Sequence, residues 1–117
     1  MRYFKLEEFD SPDEPGSGSN MHEEILHMLD VVRKKYGKPI KINSGYRTVD
    51  RNKKIGGVKN SSHLKGLAVD IWCKESIDRF ILLNLLIEVG FRRIGIAKSF
   101  IHVDIDKNKS QDVAWGY

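Results

Sequence analysis

The chain has 117 residues, of which 40% are hydrophobic and 31% charged, and its formal net charge is +4 at neutral pH. This length suits one domain, and this hydrophobic fraction excludes global disorder because it can form a core. We therefore predict a single domain over residues 1–117. One cysteine excludes an internal disulfide, and the absence of a Cys-x-x-Cys pair excludes a structural zinc finger.

The N-terminal segment contains no apolar run of the kind found in secretory signal peptides. No segment of the chain reaches the roughly 18 apolar residues that indicate a membrane-spanning helix. The sequence therefore predicts a protein that is cytoplasmic as synthesised and has no membrane span. Residues 11–20 are rich in proline, glycine and serine, which predicts a flexible loop after the N-terminal segment.

A first long helix is predicted from about residue 20 to Tyr36. Ser19 or Asn20 can cap its N terminus, and Gly37 can end it. Apolar and aromatic residues recur at helical spacing between these ends. They are Ile25, Met28, Leu29, Val32 and Tyr36.

The middle of the chain predicts two strands separated by a short helix. Residues 39–43 alternate in polarity, which is typical of a strand with one buried face. Residues 48–54 predict a short helical turn before a loop at Gly56 and Gly57. Residues 67–72 are apolar, β-branched and aromatic, which predicts a buried strand.

A second long helix is predicted between Ser76, which can cap it, and Gly90, which can end it. Residues 93–97 and 100–105 then predict a β-hairpin. Helices and strands do not alternate strictly, so we predict an α+β fold with a small, mainly antiparallel sheet and helices packed on one side. The second helix should bury a stripe formed by Ile77, Ile81, Leu82, Leu85, Leu86 and Val89.

Three residues indicate a metal site. Asp70 is the one charged residue in its predicted strand, where an ionised carboxylate is unfavourable unless it is paired or bound to a metal. His63 precedes it, and His102 lies on the second strand of the predicted hairpin. Two imidazoles and one carboxylate are a ligand set of hydrolytic zinc sites, and they leave a fourth position for water. Zinc lowers the pKa of such a water to about 7, so hydroxide is available at neutral pH.

These residues form a combined motif: Ser61-x-His63-x-x-Gly66-x-Ala68-x-Asp70, followed by His102-x-Asp104. It resembles the motif of the M15 peptidase family, which comprises zinc D-Ala-D-Ala carboxypeptidases and related peptidoglycan endopeptidases, phage endolysins among them. Residues 43–47, Asn-Ser-Gly-Tyr-Arg, are similar to a further element of that family. The resemblance covers about residues 4–105 and implies that His63, Asp70 and His102 bind Zn²⁺, with Arg47 facing the substrate.

The resemblance also implies an activity. It implies a zinc peptidase that hydrolyses amide bonds in peptidoglycan stem peptides or cross-links, as a carboxypeptidase or an endopeptidase. Arg47 would stabilise the developing oxyanion or bind a substrate carbonyl or carboxylate, because a guanidinium offers paired donors. The alternative for Arg47 is a structural salt bridge. The implied fold is shared with hedgehog signalling domains, so the alternative function is a non-catalytic cell-wall or partner-binding domain on the same zinc-binding scaffold.

The general base is the point at which the chain departs from the family pattern. Many relatives carry an acidic residue three positions before the second histidine ligand, whereas this chain has Ser99 there. Asp104 is the nearest carboxylate and shares a strand face with His102. Asp104 can accept the proton of the water, or it can hold His102 in its ligating tautomer. The sequence leaves both roles open.

The remaining predictions concern partners and location. Basic residues occur in short, scattered runs without a recognisable nucleic-acid-binding signature, so no nucleic-acid partner is predicted. The predicted partner is a peptidoglycan peptide substrate, bound by a monomer. A protein without a leader reaches the cell wall only after release by another route, for example as a phage lysin.

Overall fold

The computed structural model describes residues 1–117 and has an α+β fold. The α-helices are α1 (Glu23–Tyr36), α2 (Val49–Lys54) and α3 (Ser76–Val89). The strands are β1 (Ile42–Ser44), β2 (Ala68–Trp72), β3 (Arg93–Ile96), β4 (Phe100–Asp104) and β5 (Val113–Gly116). Short 3-10 helices cover Leu6–Phe9, Ser17–Asn20 and Ser62–Lys65.

The five strands form one sheet in the order β1-β2-β4-β3-β5. All neighbouring pairs are antiparallel except β3 and β5, which are parallel. Because side chains alternate along a strand, Val69, Ile71, Ile101 and Val103 face one side and are fully buried in the core with residues of α1 and α3. The predicted small, mainly antiparallel sheet with helices on one side is confirmed. The opposite face is left for polar side chains.

The chain before α1 contains more local structure than its composition predicts. A β-bridge joins Ser11 and Glu14, and the backbone N–H of Ser11 donates to Ser17 Oγ at 2.8 Å. Residues 17–20 form their own 3-10 helix, so α1 begins at Glu23 with His22 in the N-cap position. The prediction that Ser19 or Asn20 caps α1 is therefore wrong, whereas the predicted end of the helix at Tyr36 is confirmed.

The predicted buried stripe of α3 is too wide. Leu82 and Leu86 are buried, but Ile77 is 76% exposed and Ile81 is 40% exposed. At 3.6 residues per turn, Ile77 lies far around the helix from Leu82, so one face cannot bury both. The contact with α1 and the sheet is centred on Leu82 and Leu86 instead.

The strand predictions are confirmed in part. The β3–β4 hairpin is present, β2 begins one residue later than predicted, and β1 is shifted from residues 39–43 to 42–44. Strand β5 was not predicted at all. It lies at the edge of the sheet and pairs with β3, about twenty residues earlier in the chain. Its formation therefore depends on a contact that the local sequence pattern does not show. None of the helices combines the length and the apolar character needed to cross a bilayer.

Candidate metal centre

Three buried side chains converge on the polar face of the sheet. Asp70 and His102 lie directly opposite each other in the β2–β4 register, and His63 lies in the 3-10 helix that leads into β2. One potential ligand atom from each residue lies within 4.8 Å of the others. The structure therefore brings together the three residues whose types predicted a metal site.

The His63 imidazole is oriented by a backbone carbonyl. Its Nδ1 lies 2.8 Å from the carbonyl oxygen of Gly45, and its Nε2 lies 3.2 Å from Asp70 Oδ1. A carbonyl can only accept, so Nδ1 carries the hydrogen and Nε2 keeps its lone pair toward the centre in the neutral ring. Ser61 Oγ accepts the backbone N–H of His63 at 3.2 Å and so shapes the loop rather than holding the ring.

The His102 imidazole lies between two carboxylates. Its Nδ1 is 2.9 Å from Asp70 Oδ1, and its Nε2 is 2.8 Å from Asp104 Oδ2. When Nε2–H donates to Asp104, Nδ1 is left with the lone pair that a metal requires. The two histidines therefore present different ring nitrogens to the same point, and each has its other nitrogen already held.

Asp70 completes the candidate ligand set and is ionised. Burial alone would raise its pKa, but the hydrogen bonds with His102 and His63 outweigh burial and hold the pKa well below its ordinary value. Its second oxygen, Oδ2, accepts a hydrogen bond from Arg47 Nη2 at 3.2 Å. Metal ligation requires a deprotonated carboxylate, and this one is deprotonated at neutral pH.

The electrostatics of the centre favour a cation. Burial would lower the pKa of His102, but its hydrogen bonds with Asp104 and Asp70 raise the pKa above its ordinary value. The space between the two carboxylates therefore favours positive charge. A divalent metal bound to neutral imidazoles would supply that charge, so the donor set fits the metal that the sequence predicted.

Arg47 is fixed beside Asp70 by three hydrogen bonds. Nε donates to Ser44 Oγ at 3.0 Å, Nη1 to Asn52 Oδ1 at 3.3 Å, and Nη2 to Asp70 Oδ2 at 3.2 Å. Burial lowers the pKa of Arg47, and the charge of Asp70 opposes that change. The salt bridge considered from the sequence is thus present. Two of the five guanidinium hydrogens are not used by these bonds, and Arg47 also lines the cavity above the centre.

Both oxygens of Asp104 are occupied, and its side chain is only 1% exposed. Oδ2 lies against His102, while Oδ1 accepts hydrogen bonds from Arg93 Nε at 2.7 Å and from the backbone N–H of Asp106 at 3.1 Å. Burial would raise the pKa of Asp104, but the hydrogen bonds of His102 and Asp106 and the charge of Arg93 hold it below its ordinary value. Asp104 is therefore a strongly held anion that supports His102.

A cavity of about 390 Å³ lies over the three candidate ligands. Its walls include residues that sequence reasoning did not single out: Arg93, Lys109, Trp115 and Tyr117. Arg93 and Lys109 belong to the short, scattered basic runs of the sequence, which by themselves do not indicate a site. Arg93 lies on the face of the site because Gly95, two residues later in β3, is opposite His102 in β4. That placement can be predicted only when the register between the two strands is known.

A family model described as Peptidase M15 matches residues 2–105. The matched region includes His63, Asp70, His102, Arg47 and Asp104, and it ends before the last twelve residues of the chain. No curated protein matches the chain.

Proposed function

The chain belongs to the M15 peptidase family, and from this premise we propose that it is a zinc peptidase acting on peptidoglycan stem peptides or cross-links. The observation that carries the proposal is the convergence of His63, Asp70 and His102 beneath an open cavity, with ligand atoms within 4.8 Å of one another. Two histidines and one carboxylate leave a coordination position for water, which is the arrangement of catalytic zinc sites.

The protein groups that would hold the metal are His63 Nε2, the Asp70 carboxylate and His102 Nδ1. Zinc bound there would supply a Lewis acid for a peptide carbonyl and would lower the pKa of its water to about 7. The chain keeps both imidazoles in their ligating tautomers through Gly45 and Asp104.

Arg47 has two roles in this proposal. Its bond to Asp70 holds that carboxylate in place, and Arg47 lines the cavity with two N–H groups that its hydrogen bonds leave unused. These donors can bind the oxygen on which negative charge develops during amide hydrolysis. Because Ser44 and Asn52 hold the guanidinium in place, little reorganisation accompanies that step.

Asp104 acts in the proposal as a positioning residue. A general base must reach the proton that it accepts, and its pKa should lie near the working pH. Both oxygens of Asp104 are engaged by other groups, and its pKa is depressed. Its contact with His102 Nε2 favours the role of orienting the ligand over the role of base.

One observation favours a second candidate function. The cavity is lined by only two carboxylates, Asp70 and Asp104, and both are engaged in ion pairs. A centre without a free acidic group suits a non-catalytic domain that uses the zinc-binding scaffold to bind cell-wall peptides or a partner. The experiment must therefore separate hydrolysis from binding.

The test is incubation of zinc-loaded protein with purified muropeptides, with and without a chelator. We expect new amino groups that require the metal, and mass spectrometry of the products identifies whether D-Ala-D-Ala, L-Ala-D-Glu or a cross-link is cleaved. The His63→Ala variant is the control for contaminating peptidases. Binding of muropeptides without any new amine would contradict the peptidase and support the binding domain.

A further inference from the structure

The last twelve residues, which lie outside the family match, form one wall of the cavity. Strand β5 pairs with β3 so that Trp115 lies opposite Gly95, and Gly95 in turn lies opposite His102. Asp70, His102, Gly95 and Trp115 thus form one row across four neighbouring strands. The C-terminal strand is therefore in register with the candidate metal ligands.

Gly95 lets the Trp115 side chain lie across this row. A Cβ at position 95 would stand 2.6 Å from Trp115 Nε1 and 2.9 Å from a ring carbon of Tyr117, distances that real Cβ atoms do not show. The indole ring consequently extends toward the centre, with its centroid 5.6 Å from that of His102. Trp115 forms an apolar surface beside the ligands.

Arg93 contacts both this wall and the candidate metal centre. Its Nη1 donates to the carbonyl of Ser110 at 2.6 Å, its guanidinium lies 5.1 Å from the Trp115 ring centroid, and its Nε donates to Asp104. The same side chain therefore contacts the C-terminal segment and the carboxylate that orients His102. The position of the wall is coupled to the position of that ligand.

The charges near this wall do not balance. Arg47 pairs with Asp70 and Arg93 pairs with Asp104, but Lys65 and Lys109 share the single carboxylate of Asp106. Lys65 takes the shorter contact of 3.1 Å, whereas Lys109 Nζ is 3.9 Å from the same oxygen.

Of the two lysines that share Asp106, Lys109 lines the cavity and Lys65 does not. Its one hydrogen bond is donated to Ser62 Oγ at 3.0 Å, and an ammonium has three hydrogens to donate. Its side chain is 22% exposed. The ammonium group of Lys109 is therefore only partly neutralised by Asp106, and it has N–H donors that no protein group accepts.

We propose that Lys109 binds a carboxylate of the substrate, with Trp115 as the adjoining apolar wall, so that the site selects anionic peptides. This inference rests on the proposed peptidase function and specifies its substrate class. A carboxylate is the ligand favoured by an ammonium with unused hydrogens, and the indole covers uncharged parts of the peptide.

The test uses Trp115 as its own reporter. The chain has two tryptophans, so Trp72→Phe leaves Trp115 as the sole one. Trp72 is 47% exposed and does not line the cavity, so its replacement should not disturb the site. Stopped-flow emission of the zinc-loaded protein then reads binding before turnover. The probes are a synthetic peptidoglycan stem tetrapeptide with free carboxylates and the same peptide with its carboxylates amidated.

We expect wild-type Lys109 to favour the free acid over the amide, and this preference should weaken with rising salt. Lys109→Gln should weaken binding of the free acid about tenfold and leave the amide unchanged. Lys109→Arg, which keeps the charge, should keep the preference. Lys107→Gln is the matched control, because Lys107 is exposed on the same segment and does not line this cavity.

Two results would overturn the inference: equal binding of the two peptides by the wild type, or equal weakening of both by Lys109→Gln. The second result would mean that Lys109 acts only through Ser62 and Asp106. If Lys109→Gln does not fold, the wild-type preference, its salt dependence and Lys109→Arg still decide. Selective binding of the free acid without cleavage would support the carboxylate subsite while contradicting the proposed hydrolysis.

Discussion

Asp70 and Asp106 are two of the three buried carboxylates at or near the cavity, and the groups that surround them differ in kind. Asp106 is fully buried and accepts hydrogen bonds from Ser62 Oγ, Lys65 Nζ and the backbone N–H of Asn108. Each of these groups donates a hydrogen bond to the carboxylate, so the carboxylate is satisfied by the protein itself. Burial alone would raise the pKa of Asp106, but these hydrogen bonds outweigh burial and hold the pKa below its ordinary value. Asp106 is therefore ionised although it is buried.

Asp70 lies instead beside two imidazole nitrogens that can bind a metal ion. His63 Nε2 and His102 Nδ1 both lie against its Oδ1, and each ring has its other nitrogen fixed elsewhere. An imidazole nitrogen can present a lone pair, whereas an ammonium cannot. The difference shows that burial of a carboxylate does not identify a metal site. What identifies it is whether the neighbouring atoms can also be ligands.

The largest expected effect follows from removing a ligand. We predict that His63→Ala or His102→Ala abolishes zinc binding and with it the metal-dependent activity, because two remaining ligands do not complete a catalytic site. Metal analysis of the purified variants gives the readout. Asp106→Asn is the matched control at a buried carboxylate outside the candidate ligand set and should keep its zinc. Full zinc occupancy in either histidine variant would contradict the assignment.

The next effect concerns the cation beside Asp70. We predict that Arg47→Ala leaves zinc bound but lowers turnover by about two to three orders of magnitude, the usual effect of losing an oxyanion donor. Steady-state kinetics on a muropeptide, together with zinc analysis, measure this. Arg47→Lys should recover little, because an ammonium lacks the planar fork of donors. Unchanged kinetics with a large fall in melting temperature would instead assign Arg47 to structure alone.

Asp104 should show a smaller and reversible effect. As a positioning residue, Asp104→Asn should weaken zinc affinity by about ten- to a hundredfold, and excess zinc should restore activity. A general base would behave differently, because its loss lowers the rate by roughly two to four orders of magnitude with zinc still bound. Competition with a chelating dye measures the affinity, and activity assayed across zinc concentrations decides between the two roles.

The smallest effect is on the stability contributed by Asp106, which lies outside the candidate ligand set. Asp106→Asn should lower the free energy of unfolding at neutral pH by about 1–3 kcal/mol, since it removes a buried acceptor. The folded-state pKa of Asp106 is lowered, so its stabilising contribution is present above the unfolded pKa and is lost as pH falls through the folded value. The difference between wild type and variant should therefore shrink in acid.

Urea unfolding of the metal-free proteins at neutral and acidic pH measures this difference. A constant difference across that range would mean that ionisation of Asp106 contributes nothing to stability. Zinc binding should remain at the wild-type level in this variant at neutral pH. A loss of zinc there would show that the two carboxylates are not independent.

Much of the fold is visible in local patterns. The 3.6-residue spacing of α1 and α3 and the alternation in β4 are properties of short segments, and each segment forms the predicted element. The candidate ligands could be named for the same reason. Asp70 is a lone charge in an apolar strand, and the types and spacing of His63 and His102 carry the chemistry without any knowledge of distances.

The rest depends on contacts between segments far apart in the chain. Arg93 occupies one oxygen of Asp104 and so favours the role of supporting His102 over the role of base. Arg93 reaches Asp104 only because β3 and β4 pair in one register. Strand β5 exists through its pairing with β3, and that pairing alone brings Trp115 beside His102. Residue types and local periodicity thus specified the candidate ligands and most elements. Sheet register decided which side chains surround the ligands, because hydrogen bonding between strands is not encoded in the pattern of any one strand.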